Sequence, residues 1–275
     1  MQRASFFILV ALVTGSAAAP QNATEPLLDV RLYGHRGLTA EAPENSLAAV
    51  RAAMKLGIAG VEIDLRTTRD GEIVLLHDAT LERTTDGSGP IAERSLSAVR
   101  GLRLCGNDGQ PTQHRVPTLD EVISLVRSDP HFELALDLKS VDALSVADKV
   151  LDAGLEHRTT FFVASRFDVE LARSLKERSG DLRIAVDLAE WWQIEGLATF
   201  VRDALEADAL FALDYYFPRY GFREARDAGA EVHVLLRGER DLAERLGAAV
   251  QGGANVVSSD HPERLVHLAK PRPKP

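Results

Sequence analysis

One cysteine, Cys105, stands among 275 residues, so the chain cannot form an intrachain disulfide. It also lacks an apolar run long enough to cross a bilayer, which takes about 20 residues; the stretch Phe6 to Val13 is too short. There is no basic surplus. The formal charge is −9, which argues against nucleic acid as the main partner, because phosphate backbones select basic surfaces. No internal repeat is visible. Stability must therefore come from a large core, which the length and an apolar content of 45% permit. Cys105 reads as a small buried hydrophobe. The acidic balance does not exclude an anionic small substrate, since a bound divalent cation reverses the local field.

The first residues form a separate object. Met1-Gln2-Arg3 is a short basic start, Phe6 to Val13 is apolar, and Ser16-Ala17-Ala18-Ala19 is small. That order is the pattern of a secretory signal peptide spanning residues 1–18 with cleavage after Ala18. It predicts a periplasmic or secreted protein with no stable membrane insertion after processing; an uncleaved N-terminal anchor is the alternative. Asn22-Ala23-Thr24 matches a glycosylation sequon but sits at a terminus and carries little weight. The folded domain is expected over 27–268, with 269–275 a loose tail.

After Pro26, short apolar runs alternate with amphipathic stretches. Nine candidate strands begin near Val30, Val61, Ile73, Phe132, Thr160, Leu182, Ala209, Val232 and Asn255. Candidate helices lie near Ser46–Lys55, Leu119–Arg127, Val141–Leu151, Val169–Arg178, Glu195–Ala207, Arg223–Ala228 and Arg240–Gln251. Gly57, Gly154, Gly229 and Gly252 fall where helix C-terminal caps belong, and Thr118 with Glu121 forms a capping box. Strand–helix alternation at this length predicts an α/β fold, a (β/α)₈ barrel. The ninth strand, Ile73–His77, is too close to the Glu62–Asp64 run for a parallel return. Asp70-Gly71 is instead a hairpin turn signal, and a turn there sets Asp64 opposite His77. From about 79 to 115 the alternation fails, which marks an insertion after the His77 strand, a functional lid or a small subdomain.

Four segments concentrate chemistry: His35-Arg36-Gly37, Pro43-Glu44-Asn45, Glu62-Ile63-Asp64 and His77-Asp78. Histidine titrates near neutrality, so one can hold a proton while the other accepts one. Glu62 and Asp64 are two apart in a β-branched run, which places both carboxylates on one strand face. Hard oxygen ligands facing one way suit Mg²⁺ or Ca²⁺.

These segments, with Thr68-Arg69-Asp70-Gly71, resemble in order and spacing the signature of the glycerophosphodiester phosphodiesterase family. Leu81-Glu82-Arg83-Thr84-Thr85, Val116-Pro117-Thr118-Leu119 and Ser258-Ser259-Asp260-His261-Pro262 extend the likeness. The resemblance implies a barrel that hydrolyses glycerophosphodiesters to glycerol 3-phosphate and an alcohol, with one divalent cation. It makes His35 and His77 the acid–base pair, Arg36 and Lys139 the phosphate binders, and Glu62, Asp64 and Asp137 the metal ligands. It also implies that the insertion covers part of the active-site mouth. Asp137 stands where the family usually has Glu, and an ion pair with Lys139 is its alternative role. Glu44 and Asn45 open the first helix, either capping it or supporting His35 or the metal ligands through hydrogen bonds. Leu235 stands where the family often has a Trp lining the glycerol pocket, so the substrate pocket is expected to differ there; Trp191 and Trp192 are the candidates to compensate. The other readings left open are a related phosphodiesterase acting on lysophospholipids or phosphoinositides, and a non-catalytic barrel. His131, His157, His233 and His267 read as surface or structural groups.

Overall fold

Strands that are apolar on both faces must be covered on both, and a ring of parallel strands wrapped by helices does this without leaving an edge. The computed structural model describes residues 27–163, 169–187, 208–213, 222–227 and 229–271. The strands are β1 (Arg31–His35), β2 (Gly60–Thr67), β3 (Ile73–Leu75), β4 (Glu133–Ser140), β5 (Thr159–Val163), β6 (Arg183–Asp187), β7 (Ala209–Leu213), β8 (Glu231–Leu236) and β9 (Val256–Ser259). The helices are α1 (Leu47–Leu56), α2 (Leu96–Gly101), α3 (Leu119–Val126), α4 (Ala143–Asp152), α5 (Val169–Arg178), α6 (Arg223–Asp227) and α7 (Leu242–Gly252). The segment 1–18, the sequon, Trp191, Trp192 and the expected helix Glu195–Ala207 lie outside the described residues.

Eight strands pair in parallel in the order β1-β2-β4-β5-β6-β7-β8-β9, and β9 returns to β1. This is the expected (β/α)₈ barrel. Its outer core joins strands to helices: Val61, Ile63 and Leu65 of β2 and Leu134 and Leu136 of β4 belong to one buried cluster with Val50 of α1 and Val122 of α3. A separate inner cluster holds Tyr33, Ala135, Phe162, Ala185, Ala209 and Val256. Small residues dominate this interior because the ring leaves little room at its axis. Truncating an outer-core leucine such as Leu136 to alanine would cost about 2–5 kcal/mol.

Inward positions recur every second residue along each strand. At the N-terminal end of the barrel this puts four charges on alternate strands: Arg31, Glu133, Arg183 and Glu231. Arg31 pairs with Glu133 at 2.6 Å and also with Glu231, and Arg183 pairs with Glu231 at 2.8 Å. One position further in, the Tyr33 hydroxyl donates to Glu133, and His233 Nε2 lies 2.5 Å from Glu231 Oε1. His233 is thus a structural group, as expected, buried edge-on to Tyr33 and Phe162.

The ninth strand, β3, is antiparallel to β2, but its register differs from the expected one. Leu65 faces Leu75 and Thr67 faces Ile73, and the Leu76 N–H donates to the Asp64 carbonyl. Asp64 is therefore opposite Leu76, not His77. The cause is the turn: Thr68 N–H donates to Glu72 O, which leaves a three-residue loop ending at Gly71 with φ 86°. A three-residue loop with a left-handed glycine shifts the pairing by one relative to a two-residue turn.

The insertion folds around its own small core. Leu81, Ile91, Val99 and Leu104 pack with Val74, Leu76 and Val116. Helix α2 lies within it, where periodicity gave no helix. Asn107 Nδ2 donates to Thr39 O at 2.9 Å, tying the insertion to the loop that follows β1.

Four smaller expectations change. The glycine that caps α7 is Gly253, at φ 115°, because the helix runs through Gly252. Ala269, placed in a loose tail, is buried and bridges Leu28, and Lys270 N–H donates to Leu28 O, so the ends of the domain hold each other. Cys105 is half-buried, since it lies in the insertion and outside both large cores. The Thr118–Glu121 capping box forms as expected, and Ser46, rather than Glu44 or Asn45, caps α1 through Ala49 N–H.

Candidate active site

The C-terminal strand ends carry the chemistry, as in other barrels of this architecture. They surround a cavity of about 130 Å³ lined by His35, Arg36, Glu62, Asp64, His77, Asp137, Lys139, Phe162, Phe211, Leu235, Arg237 and Ser258. A wider depression of about 590 Å³ opens at the other end, where Arg31, Glu133 and Glu231 are already paired. The smaller cavity is the candidate site, because it gathers two histidines, three carboxylates and the cations Arg36, Lys139 and Arg237.

Glu62 and Asp64 project from the same face of β2, and Asp137 stands beside Asp64 in the β2–β4 register. One oxygen from each of the three lies within 4.8 Å of the others. Two oxygens on one divalent cation are separated by at most about twice the ligand distance, that is about 4–5 Å. The set therefore fits one divalent cation. Electrostatics agree with this donor chemistry. Burial, aided by Asp64 and Asp137, drives the Glu62 carboxyl well above its ordinary range. Burial also raises Asp137, against the pull of Lys139. Burial opposes ionisation of Asp64 too, but Arg36, Lys139 and the Asn45 amide outweigh it and hold that carboxyl low. A carboxylate group in this state is relieved by a cation.

Lys139 Nζ is 2.5 Å from Asp137 Oδ2 and 3.4 Å from Asp64 Oδ1. The two readings of Asp137 thus coexist: it is an ion-pair partner of Lys139 and a member of the cluster. Arg36 Nε lies 3.3 Å from Asp64 Oδ2, and Arg36 Nη1 donates to Glu44 Oε1 at 3.0 Å. The Arg36 backbone is left-handed, at φ 60°, with its N–H donating to Glu62 O at 2.8 Å. Gly37 follows at φ 93°, and a Cβ there would lie 2.6 Å from the Ala49 Cβ. This tight turn holds Arg36 across the mouth and explains the His-Arg-Gly order in physical terms.

Asn45, also left-handed at φ 55°, is buried and clasps Asp64. Its Nδ2 donates to Asp64 Oδ2 at 2.8 Å, and its Oδ1 accepts from Asp64 N–H at 3.1 Å. Glu44 and Asn45 thus support Arg36 and Asp64, whereas the expectation allowed His35 as their target.

Each histidine is gripped at Nδ1 by a carboxylate. His35 Nδ1 is 2.5 Å from Asp260 Oδ1, and His77 Nδ1 is 2.6 Å from Asp78 Oδ1. Burial works against the charge on Asp260, but the His35 hydrogen bond outweighs it and holds the carboxyl at about 2. Arg83 draws Asp78 far below the usual carboxylate range, with His77 adding to the effect. Both carboxylates are therefore acceptors, the Nδ1 atoms carry protons, and Nε2 of each ring is the atom left for chemistry. Nε2 of His35 lies 3.7 Å from Glu62 Oε2.

Asp260, Asp78 and Arg83 received no role from the sequence. Arg83 reaches from the insertion, donating to Asp78 Oδ2 at 2.5 Å and to Glu44 Oε2 at 2.7 Å, so one guanidinium ties the support of His77 to the support of Arg36. The available signal was position: His35 ends β1 and Asp260 directly follows β9, and Gly34 pairs with Ser259 where those strands meet.

At the C-terminal end of the barrel, two anchored histidines, three cations and three crowded carboxylates thus line one cavity. Comparison with known proteins makes the family explicit. The model of the glycerophosphoryl diester phosphodiesterase family matches residues 35–234, and the chain belongs to that family. A glycerophosphodiester phosphodiesterase of Caldanaerobacter subterraneus subsp. tengcongensis is 28% identical over 250 residues, covering 87% of this chain and 97% of that protein. Glycerophosphodiester phosphodiesterase 1 of Mus musculus is 44% identical over 98 residues, which is 34% of this chain and 30% of that protein. The crystal structure of a glycerophosphodiester phosphodiesterase from Agrobacterium tumefaciens is similar with a TM-score of 0.71 at 27% identity, covering 85% of this chain and 97% of that one. An Oleispira antarctica phosphodiesterase, solved with the product sn-glycerol-3-phosphate, has a TM-score of 0.66 at 26% identity, covering 86% and 95%.

Proposed function

We propose that this chain is a glycerophosphodiester phosphodiesterase that hydrolyses its substrates to glycerol 3-phosphate and a free alcohol, using His35 and His77 as its acid–base pair. The observation that carries the reading is the convergence, in one cavity, of two Nδ1-anchored histidines, a carboxylate trio and the cations Arg36 and Lys139. Family membership and the Oleispira product complex support the substrate class.

Hydrolysis breaks the bond from phosphorus to the alcohol oxygen and makes one to a water oxygen. One histidine Nε2 takes the proton from the attacking water, and the other gives its proton to the departing oxygen. Each transfer is worth about 10²–10⁴-fold. Arg36 and Lys139 hold the phosphate oxygens and stabilise the charge that builds on them. Glu62, Asp64 and Asp137 would hold one divalent cation, which when bound supplies Lewis-acid stabilisation of the phosphoryl oxygens. Asn45 keeps Asp64 in place for it.

Leu235, Phe162 and Phe211 form an apolar wall of the cavity, which keeps a related activity on lysophospholipids as the second reading. The N-terminal pattern supports a periplasmic or secreted location; among the described residues no helix is long and apolar enough to cross a membrane. The test of function is release of glycerol 3-phosphate from a panel of glycerophosphodiesters and lysolipids, with chelator and then with added Mg²⁺ or Ca²⁺. Loss on chelation and recovery with metal is expected. Full activity after exhaustive chelation would remove the metal from the reading, and no release from any member of the panel would remove the function.

A further inference from the structure

The cations that line the cavity are not equally engaged. Arg36 is tied to Glu44 and Asp64, and Lys139 to Asp137 and Asp64. Arg237 lines the same cavity, is exposed, and has no ion pair or hydrogen bond to its guanidinium among the described residues. It continues the inward row of β8, which runs through Glu231, His233 and Leu235, and lies one residue past the strand's end at Leu236. That places it at the rim, above the apolar wall.

Its backbone is fixed although its side chain is free. The Arg237 carbonyl accepts from Arg245 Nη2 at 2.9 Å, and the next N–H, of Gly238, donates to Asp260 Oδ2 at 2.8 Å. The anchor of Arg237 is therefore the same carboxylate that grips His35. Arg36 and Lys139 are the cations in ion-pair contact with the carboxylate trio, and Arg237 makes no such contact among the described residues. The cavity's remaining acids are that trio itself, and the described lining offers no other carboxylate to receive a cationic alcohol.

We propose that Arg237 is the head-group-binding residue, and that the preferred substrates are glycerophosphodiesters whose alcohol carries a second anionic group, a phosphate monoester or a carboxylate. This deepens the function proposed above and rests on it. A guanidinium is suited to the task because its fork binds such groups through two parallel hydrogen bonds. A cationic alcohol such as choline meets an unneutralised arginine at the rim and is disfavoured.

The experiment uses three probes: glycerophosphoinositol, glycerophosphoinositol 4-phosphate, which differs from it by one phosphate, and glycerophosphocholine. Specificity constants are measured for the wild type, R237Q, R237K and R237E, with melting temperatures to confirm folding. The wild type is expected to prefer the phosphorylated probe over its neutral partner by about tenfold or more, the scale of one charge-assisted hydrogen bond. R237Q should lose that preference, R237K keep part of it, and R237E invert it and favour glycerophosphocholine. Equal loss on all three probes in R237Q, with folding intact, would overturn the proposal and move Arg237 to the cleaved phosphate. An absent preference in the wild type would overturn it as well, while leaving the phosphodiesterase reading in place. Failure of the wild type to cleave any probe or any member of the wider panel would instead defeat the functional reading itself.

Discussion

The two ends of the barrel both bury charge, and they treat it in opposite ways. At the N-terminal end two arginines and two glutamates alternate around the ring, and Arg31 and Arg183 share Glu231. At the C-terminal end three carboxylates crowd within 4.8 Å; Arg36 and Lys139 pair with Asp64 and Asp137, and among the described residues Glu62 has no arginine or lysine in ion-pair contact. One end pairs its charges internally. The other, on the proposed function, takes a cation and a substrate, and its cost appears as the raised carboxyls of Glu62 and Asp137. Sites built for function commonly carry such a cost in stability.

The sharpest way to break the comparison is to truncate a histidine. His35→Ala and His77→Ala should each lower turnover by at least about 10²-fold, and the double variant should be little worse than the poorer single one. Glu231→Gln at the far end should leave turnover near the wild-type value. Steady-state kinetics decide the matter, and near-normal turnover in either histidine variant would mean that ring has another role.

The next effect concerns stability. Glu231→Gln removes the carboxylate partner of Arg183 and leaves Arg31 with Glu133 alone, and should cost on the order of 3 kcal/mol. The same change at Glu62, measured in chelator, removes one of three crowded carboxylates and should be neutral or stabilising by about 1 kcal/mol. It should also abolish activity. Denaturant midpoints for the two variants must move in different ways; equal destabilisation would erase the distinction between the ends.

Acid should sharpen it further. Burial, with Arg31 and Arg183 nearby, holds His233 at about 3, against an ordinary 6.5, and together they outweigh the pull of Glu133. As pH falls below 6.5 the unfolded chain takes up this proton first. The neutral ring's contribution is thus complete above that value and lost towards pH 3, with a slope approaching about 1.4 kcal/mol per pH unit. At the other end Asp260, lowered from 3.8 to about 2, gives a loss that begins only below about pH 4. Stability curves of wild type and His233→Gln should therefore differ in slope between about pH 6.5 and 3, the variant being flatter. Coincident curves there would show that His233 does not set the acid response.

The smallest effect belongs to the pocket wall. Leu235→Trp adds a large flat surface and an N–H donor beside Phe162 and Phe211. It should shift the specificity ratio for glycerophosphocholine over lysophosphatidylcholine by about 1–3 kcal/mol towards the former. An unchanged ratio would hand the glycerol subsite to other residues.

Much of the catalytic end was legible in the chain because its residues are local. His35-Arg36-Gly37, Glu62-Ile63-Asp64 and His77-Asp78 are short segments whose chemistry survives being read in isolation. The N-terminal ring was not legible. Arg31, Glu133, Arg183 and Glu231 each look like a charged residue at the start of a strand. The β3 register was also missed, since two- and three-residue turns share the Asp-Gly signal.

The sequence by itself determined the alternation of strands and helices, hence the barrel, and the residue types of the acid–base and carboxylate sets. Period-two and period-3.6 patterns act over a few residues, and so do side-chain chemistries. Only the tertiary structure decided the partners. Closure of β9 onto β1 brings Asp260 to His35 across 225 positions of sequence. The insertion carries Arg83 onto Asp78 and Glu44, and the ring turns four separate charges into a neutral plug. Those pairings depend on which strand ends meet when the sheet closes, and that geometry belongs to the whole ring rather than to any segment of it.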